Sequence, residues 1–380
     1  MNIPGLDFAV SRAVSFLFHA GRIRTVKHLR DVDLARVSRV LIVITTALGD
    51  SITFTPALTA LREKFRTARL VGLYHAAFAD LYRVDPRLDR VISYHGKYRR
   101  LGETLRALRE ESCELVLLPY MNDPDVIPLV LAAGARILFR MPGRNTIYSY
   151  LVAEQHLLSA VPPPGHANER ATDMVKLLGC DIRQSETSLH VSPESPELIS
   201  RLLAGLPIPK GGFGPVPPVY IGFHPGASIE QKRWPTAQYR RLAVELLREF
   251  PRSVILATGS ARERVLCGEI CSESPSRMFN LAGSVAIEDM PDLLRRLAVL
   301  VSGDTGIAVM AYAVGCRTVT LFWHTDPSRS GPYHEGDRHR VIRSLSGDAP
   351  PAASPVMEET VRQVRTSLAS DDSRLVHGDR

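Results

Sequence analysis

Val219-Tyr220-Ile221-Gly222-Phe223 runs directly into His224-Pro225-Gly226-Ala227-Ser228, and Lys232-Arg233-Trp234-Pro235 follows at once. β-Branched and aromatic residues make Val219–Phe223 strand material, and Pro225 and Gly226 end it. Pro235 suits a helical first turn, and Tyr239, Leu242, Ala243, Leu246, Leu247 and Phe250 form one apolar stripe, which predicts a helix over Pro235–Phe250. A continuous apolar strand, a turn of small residues and an amphipathic helix make the repeating unit of a parallel sheet covered on both faces.

The same unit recurs in both directions. Downstream, strands are expected at Ser253–Thr258, Val299–Ser302 and Thr318–Phe322, with helices at Asp289–Leu297 and Ile307–Val314. Upstream, the expected strands are Val40–Ile44, Arg69–Leu73, Arg90–Ser93, Glu114–Pro119 and Arg136–Phe139, with helices at Pro56–Phe65 and Gly102–Glu111. Between the two series, seven prolines and several glycines fall in Pro193–Pro218, the texture of a linker. Length agrees, since 380 residues at ~150 per domain suggest two or three domains. The expected layout is a basic N-terminal segment 1–38, a Rossmann-like domain 39–192, a linker 193–218, a second domain 219–346, and a linker with a last helix near Met357–Leu368 over 347–380. Ligands of such sheets sit beyond the C-terminal strand ends, so the cleft between the two halves is the expected site.

The chain is 45% hydrophobic and 23% charged, which excludes disorder and a disulfide scaffold. Its formal charge of +7 is unevenly placed. Residues 1–40 carry seven basic side chains against three acidic ones, whereas 347–380 carry four against six. No basic run interleaved with aromatics occurs between them, which argues against nucleic acid. Phe8–Phe18 is apolar but broken by Arg12, is too short to span a bilayer and lacks the basic start of a secretory signal. It reads either as a helix on an anionic membrane surface or as one packed on its own domain. Of the five cysteines only Cys267 and Cys271 are near each other and no zinc set is completed, so buried thiols in a reducing cytoplasm and no metal are expected.

The chemistry-bearing motifs lie where strands meet helices. Thr45-Thr46-Ala47-Leu48-Gly49-Asp50-Ser51 follows the first strand and is not Gly-x-Gly-x-x-Gly, which removes the main support for a nicotinamide-dependent oxidoreductase. Asp50 there either caps the helix or faces the cleft. In the second half, the small residues His224–Ser228 let backbone N–H groups approach an anion, and Lys232 and Arg233 add charge before a helix N-terminus. Glu263, after Thr258-Gly259-Ser260, either accepts bonds from a ribose diol or is a solvated first-turn glutamate. Ser302-Gly303-Asp304-Thr305-Gly306 again aims N–H groups and a hydroxyl at a phosphate. Three such loops in one half argue for a diphosphate ligand.

Taken in order, Thr46-Ala47-Leu48-Gly49-Asp50 with Thr55-Pro56-Ala57-Leu58, His224-Pro225-Gly226-Ala227-Ser228 with Lys232-Arg233-Trp234-Pro235, Asn280-Leu281-Ala282-Gly283, Asp304-Thr305-Gly306, Phe322 with Thr325-Asp326-Pro327, and Gly331-Pro332-Tyr333 resemble glycosyltransferase family 9, the lipopolysaccharide heptosyltransferases. The resemblance covers roughly residues 40–345 and implies an α/β GT-B fold, two Rossmann-like parallel-sheet domains facing each other across a cleft. It implies an inverting, metal-independent transferase, without a cofactor, that moves a sugar from a nucleotide diphosphate donor, ADP-heptose in the family, to a lipopolysaccharide or other envelope glycan. By position, Asp50 matches the general base and Lys232 the lysine at the donor phosphates. Glu263 matches the ribose contact, Asp304, Thr305 and Gly306 the loop around sugar and diphosphate, and Thr46 and Ser228 hydroxyl positions near that diphosphate. The chain departs from the family pattern at Ile44, where a basic residue is usual. It departs again at Ile307 and Val309, where Pro and His are usual, and at Trp323-His324, where Gly-Pro is usual. Trp323 either stacks on a sugar or base or fills core, and His324 is a candidate to replace the missing histidine. The acceptor loops would be Tyr94–Arg100 and Met141–Tyr150, with Lys97, Arg99, Arg100, Arg140 and Arg144. The implied location is cytoplasmic, peripheral on the inner membrane. A different sugar or acceptor on the same fold, and a non-catalytic nucleotide-sugar-binding protein, are the alternatives.

Overall fold

The computed structural model describes residues 4–120, 123–141, 147–157, 165–208, 217–334, 336–344 and 349–377. The chain forms two units, Met1–His190 and Val191–Arg380. In the first, β1 (Arg39–Ile44), β2 (Arg69–His75), β3 (Arg90–Tyr94), β4 (Leu115–Leu118) and β5 (Ile137–Arg140) make one parallel sheet in the order β3-β2-β1-β4-β5. β1 is buried from Val40 to Ile44, because in a parallel sheet covered by helices both alternating faces are interior. The turn where the order reverses lies between β1 and β4, which pair Val40 with Leu115.

In the second unit, β6 (Val219–His224), β7 (Ser253–Ala257), β8 (Met278–Asn280), β9 (Leu297–Gly303), β10 (Thr318–Phe322) and β11 (His339–Arg343) form a parallel sheet ordered β11-β10-β9-β6-β7-β8. This is the doubly wound dinucleotide-fold order, with its switch point between β6 and β9. Register there pairs His224 with Ser302, so the two strand ends that carry the glycine loops lie side by side. The helix Thr236–Glu249 buries Tyr239, Leu242, Ala243, Leu246 and Leu247 against this sheet. Pro235 stands at its N-cap rather than within its first turn.

Three sequence expectations need correction or extension. The Pro193–Pro218 stretch is not loop throughout: Ser195–Ala204 is a helix with Pro196 in its first turn, where a missing N–H costs nothing, and Ile199 and Leu203 buried. Residues 209–216 of that stretch lie outside the described residues. The last helix is longer than expected, Ala353–His377, and Val356 and Val364 join the second unit's core, so it is part of that unit's packing rather than a tail. The edge strands β8 and β11 had no sequence signal: one is three residues long and the other reads His339-Arg340-Val341-Ile342-Arg343. All five cysteines are buried free thiols.

Candidate functional site

The loops after β6 and β9 build the second unit's site. Lys232 Nζ donates to Asp304 Oδ2 at 2.9 Å, and Thr325 Oγ1 donates to the same oxygen at 2.7 Å. Both partners of the ion pair are mostly buried, at 21% and 14% exposure, so the pair is screened less than a surface bridge and fixes the lysine's position. Asp304 thus orients Lys232 and Thr325. The loops can approach because Gly303 has no side chain: a Cβ there would stand 3.0 Å from the Lys232 carbonyl oxygen. Thr305 is the N-cap of the helix Gly306–Ala313, its hydroxyl accepting from Ala308 N–H at 3.3 Å and lying 3.0 Å from Ser302 Oγ. An N-terminus with orphan N–H groups beside a fixed ammonium is an anion-binding arrangement. Ser228 is exposed on the neighbouring loop.

Glu263 joins this edge from the loop after β7. Its Oε2 accepts from Ser260 N–H at 2.7 Å and from Ser260 Oγ at 2.8 Å, the carboxylate half of a helix-start capping box. It also lies over Gly226, where a Cβ would come 2.0 Å from Oε1 and 2.4 Å from Cδ. The two readings of Glu263 are therefore compatible: local bonds hold a half-buried carboxylate above the glycine of the His224–Ser228 loop. His224 is buried, 3.1 Å from Thr258 Oγ1, and desolvation holds its imidazole well below the ordinary value despite the opposing charge of Glu263. It stays neutral at pH 7.

In the first unit, β1 ends and the short helix Leu48–Thr53 begins with Ala47 at its N-cap. Asp50 is not the cap. Its carboxylate faces back toward the Ala47 N–H at the N-cap, an interaction that favours its charged form. Burial raises its pKa, and Thr46, the Arg170 guanidinium and that N–H oppose the rise. Tyr120, its hydroxyl 3.0 Å from Thr53 Oγ1, is pushed up chiefly by burial and next by the Asp50 charge. Thr46, Asp50, Tyr120 and Arg170 therefore share one environment, a carboxylate whose basicity exceeds that of an exposed aspartate. Sequence reading did not find Arg170 or Tyr120. They arrive through the strand order and through the helix Ala167–Lys176, which packs against Leu48–Thr53.

The positions that depart from the family pattern fall into place by burial. Ile44 is fully buried in β1, and Ile307 and Val309 are buried in the helix Gly306–Ala313. Trp323 is core: it is 7% exposed and its Nε1 donates to the Gln231 carbonyl at 2.8 Å, one residue before Lys232. His324 is exposed, with its ring against Trp323. Among the acceptor-loop residues, Lys97 is paired with Asp7 at 2.5 Å and Arg140 is buried, so neither is a solvated surface cation. Arg144 lies outside the described residues.

A family profile described as glycosyltransferase family 9 (heptosyltransferase) matches residues 125–353. Lipopolysaccharide heptosyltransferase 2 of Salmonella typhimurium is 33% identical over 132 residues, 33% of this chain and 37% of that protein. Lipooligosaccharide heptosyltransferase 2 of Haemophilus influenzae is 30% identical over 133 residues, again reaching 37% of its length. The matches to these two relatives thus span little more than a third of each. Lipopolysaccharide heptosyltransferase 1 of Pseudomonas aeruginosa is 27% identical over 343 residues, 85% of this chain and 87% of that protein. Among solved structures, a glycosyl transferase family 9 protein of Veillonella parvula superposes with a TM-score of 0.72 at 15% identity, covering 87% of this chain and 97% of that one. The E. coli ADP-heptose lipopolysaccharide heptosyltransferase II gives 0.67 at 20% identity, with 86% and 99% covered. With two parallel Rossmann-like sheets, these likenesses show the GT-B fold, and the chain belongs to glycosyltransferase family 9.

Proposed function

We propose that this protein is an inverting, metal-independent glycosyltransferase that moves a sugar from a nucleotide diphosphate donor, ADP-heptose as first choice, onto a lipopolysaccharide or related envelope glycan. The observation that carries the reading is the switch point of the second unit, where Lys232, fixed by Asp304, stands beside the N-terminus of the helix Gly306–Ala313. Breaking a glycosyl–phosphate bond leaves negative charge on the diphosphate, and a fixed ammonium with N–H donors neutralises it as it develops. Glu263 would contact the ribose, and Ser228 and Thr305 would flank the phosphates. Asp50 would take the acceptor hydroxyl's proton as its oxygen attacks the anomeric carbon from the face opposite the departing diphosphate, which inverts that carbon. The names of the relatives support the donor and the acceptor class.

A peripheral place on the cytoplasmic face of the inner membrane fits the N-terminal helix Pro4–His19. Its Val14 packs into the first unit's core, while Phe8 and Phe16 are 62% and 72% exposed and the Arg12 guanidinium lies over the Phe8 ring. The packed reading of this helix holds for the face that carries Val14, and the exposed Phe8 and Phe16 support the membrane-surface reading for the other. Among the described residues no helix is long and apolar enough to cross a membrane.

The test is to incubate the protein with ADP-heptose and a lipopolysaccharide-core acceptor, following ADP release and the anomeric configuration of the product. Transfer with inversion, undiminished by a chelator, is expected, and Asp50→Ala should abolish it while ADP still binds by calorimetry. Binding of nucleotide-sugars without turnover across a broad acceptor panel would establish the non-catalytic reading instead.

A further inference from the structure

The second unit has a recess that the donor loops leave unused. It measures about 620 Å³ and lies at the N-terminal ends of β6, β9 and β10, the sheet edge opposite those loops. Five arginines line it, and four of them have the same origin. Arg252, Arg296, Arg317 and Arg338 each stand immediately before a strand, β7, β9, β10 and β11 respectively, and Arg295 adds a fifth. Because the strands are parallel, four positions spread over the sequence converge on one edge. No aspartate or glutamate is among the lining residues.

Arginines often serve only to cap carbonyls, and these do so in part. Arg252 donates to Pro217 O at 2.9 Å, Arg338 to Gly315 O at 3.2 Å, and Arg317 to Asp337 O and Gln363 Oε1. Those bonds use a fraction of the five N–H donors that each guanidinium carries. Only Arg296 pairs with a carboxylate, Asp292 at 2.8 Å; the other four make no such pair among the described residues. The positive field is thus only partly offset, by Asp292 at Arg296 and by the Asp337 charge near Arg317. Arg338 helps burial to lower the Arg317 pKa, and with Arg317 it helps burial to push His339 down to about 4. Five like charges with so few counter-charges favour the arrival of an anion.

We propose that this edge binds a phosphate group that is either free, as in a diphosphate, or part of an anionic lipid headgroup. Guanidinium forks match phosphate oxygens in bidentate fashion. The volume falls within the range of about 300–1,000 Å³ of small-ligand pockets, and Leu297, Ala298 and Leu368 supply apolar surface for a small body behind the charge.

The experiment uses the full chain with inorganic pyrophosphate in calorimetry, and phosphatidylglycerol against phosphatidylcholine vesicles in co-sedimentation. The double variant Arg252→Gln/Arg338→Gln changes two exposed positions; losing two charged hydrogen-bond partners should weaken phosphate binding on the order of tenfold or more. Lys232→Ala, at the other edge, should remove only the pyrophosphate binding that belongs to the donor site and leave this edge's share in place. Weakened pyrophosphate binding assigns the site to a free anion, and weakened phosphatidylglycerol binding alone assigns it to a headgroup. If the double variant melts early, Arg338→Gln by itself carries the same comparison. Parent and variant that bind both probes alike, a parent that binds neither, or pyrophosphate binding abolished by Lys232→Ala with vesicle binding unchanged in the double variant would each overturn the proposal.

Discussion

Asp50 is a half-buried carboxylate with a raised pKa, so at the residue scale it carries a cost in folding and an advantage as a base. A base must be ionised, and its raised pKa shifts the acid limb of the pH–rate profile to higher pH than an exposed aspartate would give. Asp50→Asn should lower kcat by ~10²–10⁴ while raising Tm, because it removes a charge that burial disfavours. A variant with normal turnover, or one that lost activity only by melting, would remove the assignment. Glu263 offers a second residue-scale test. Gly226→Ala places a methyl group where the carboxylate lies, so Glu263 must swing out and give up its Ser260 bonds. Nucleotide affinity should fall by roughly tenfold, the worth of one charged hydrogen bond, with little change in fold as read by circular dichroism. Unchanged affinity would mean that Glu263 has no ligand role.

At the scale of elements, the site is a matter of loops pinned by the strands and helices beside them. Trp323, just past β10, is buried and holds the Gln231 carbonyl, so it sets the path of the segment that carries Lys232. Trp323→Phe keeps most of the packing and deletes the N–H. We expect a modest fall in donor affinity, about three- to tenfold for a hydrogen bond worth ~0.5–1.5 kcal/mol, measured by calorimetry with ADP. Equal affinity would show that the segment is held by its other contacts. The N-terminal helix makes a separate prediction. Phe8→Ser/Phe16→Ser changes only its exposed face and should reduce co-sedimentation with anionic vesicles while leaving Tm within a degree or two, since neither ring is part of the core. Undiminished vesicle binding would remove this helix from any membrane role.

For the molecule as a whole, each unit has its own sheet and core, and the second should respond to acid more than ordinary surface titration explains. His339 has an ordinary value of 6.5 and a folded value near 4, its Nδ1 lying 3.2 Å from Thr318 Oγ1. Below pH 6.5 the unfolded chain therefore binds a proton that the folded one refuses, and stability falls as pH drops through that window. The loss amounts to about 2 kcal/mol at pH 5. His339→Gln can keep the bond to Thr318 and has nothing to titrate, so its Tm should fall less than the parent's between pH 7 and 5. Parallel curves would show that His339 is not responsible.

The sequence by itself determined the class of fold, because continuous apolar strands such as Val40–Ile44 and Val219–Phe223, followed by glycine turns and amphipathic helices, have no other way to bury both faces. It also pointed to Asp50, Lys232, Glu263 and Asp304, since each stands where a strand gives way to a helix. Tertiary structure alone decided what those residues touch. Asp304 turned out to hold Lys232 and Thr325, Trp323 to be core rather than a stacking platform, and Arg170 to share the environment of Asp50 from 120 positions away. The edge strands β8 and β11 and the helix Ser195–Ala204 were also invisible in the sequence, being short, polar or proline-bearing. The arginines at the far edge were legible one by one, yet only the parallel register of β7, β9, β10 and β11 brings them together. Periodicity is a local property that a run of residues carries in itself. Which charge stands beside which is set by strand order and packing, and is expressed only once the chain has closed its long loops.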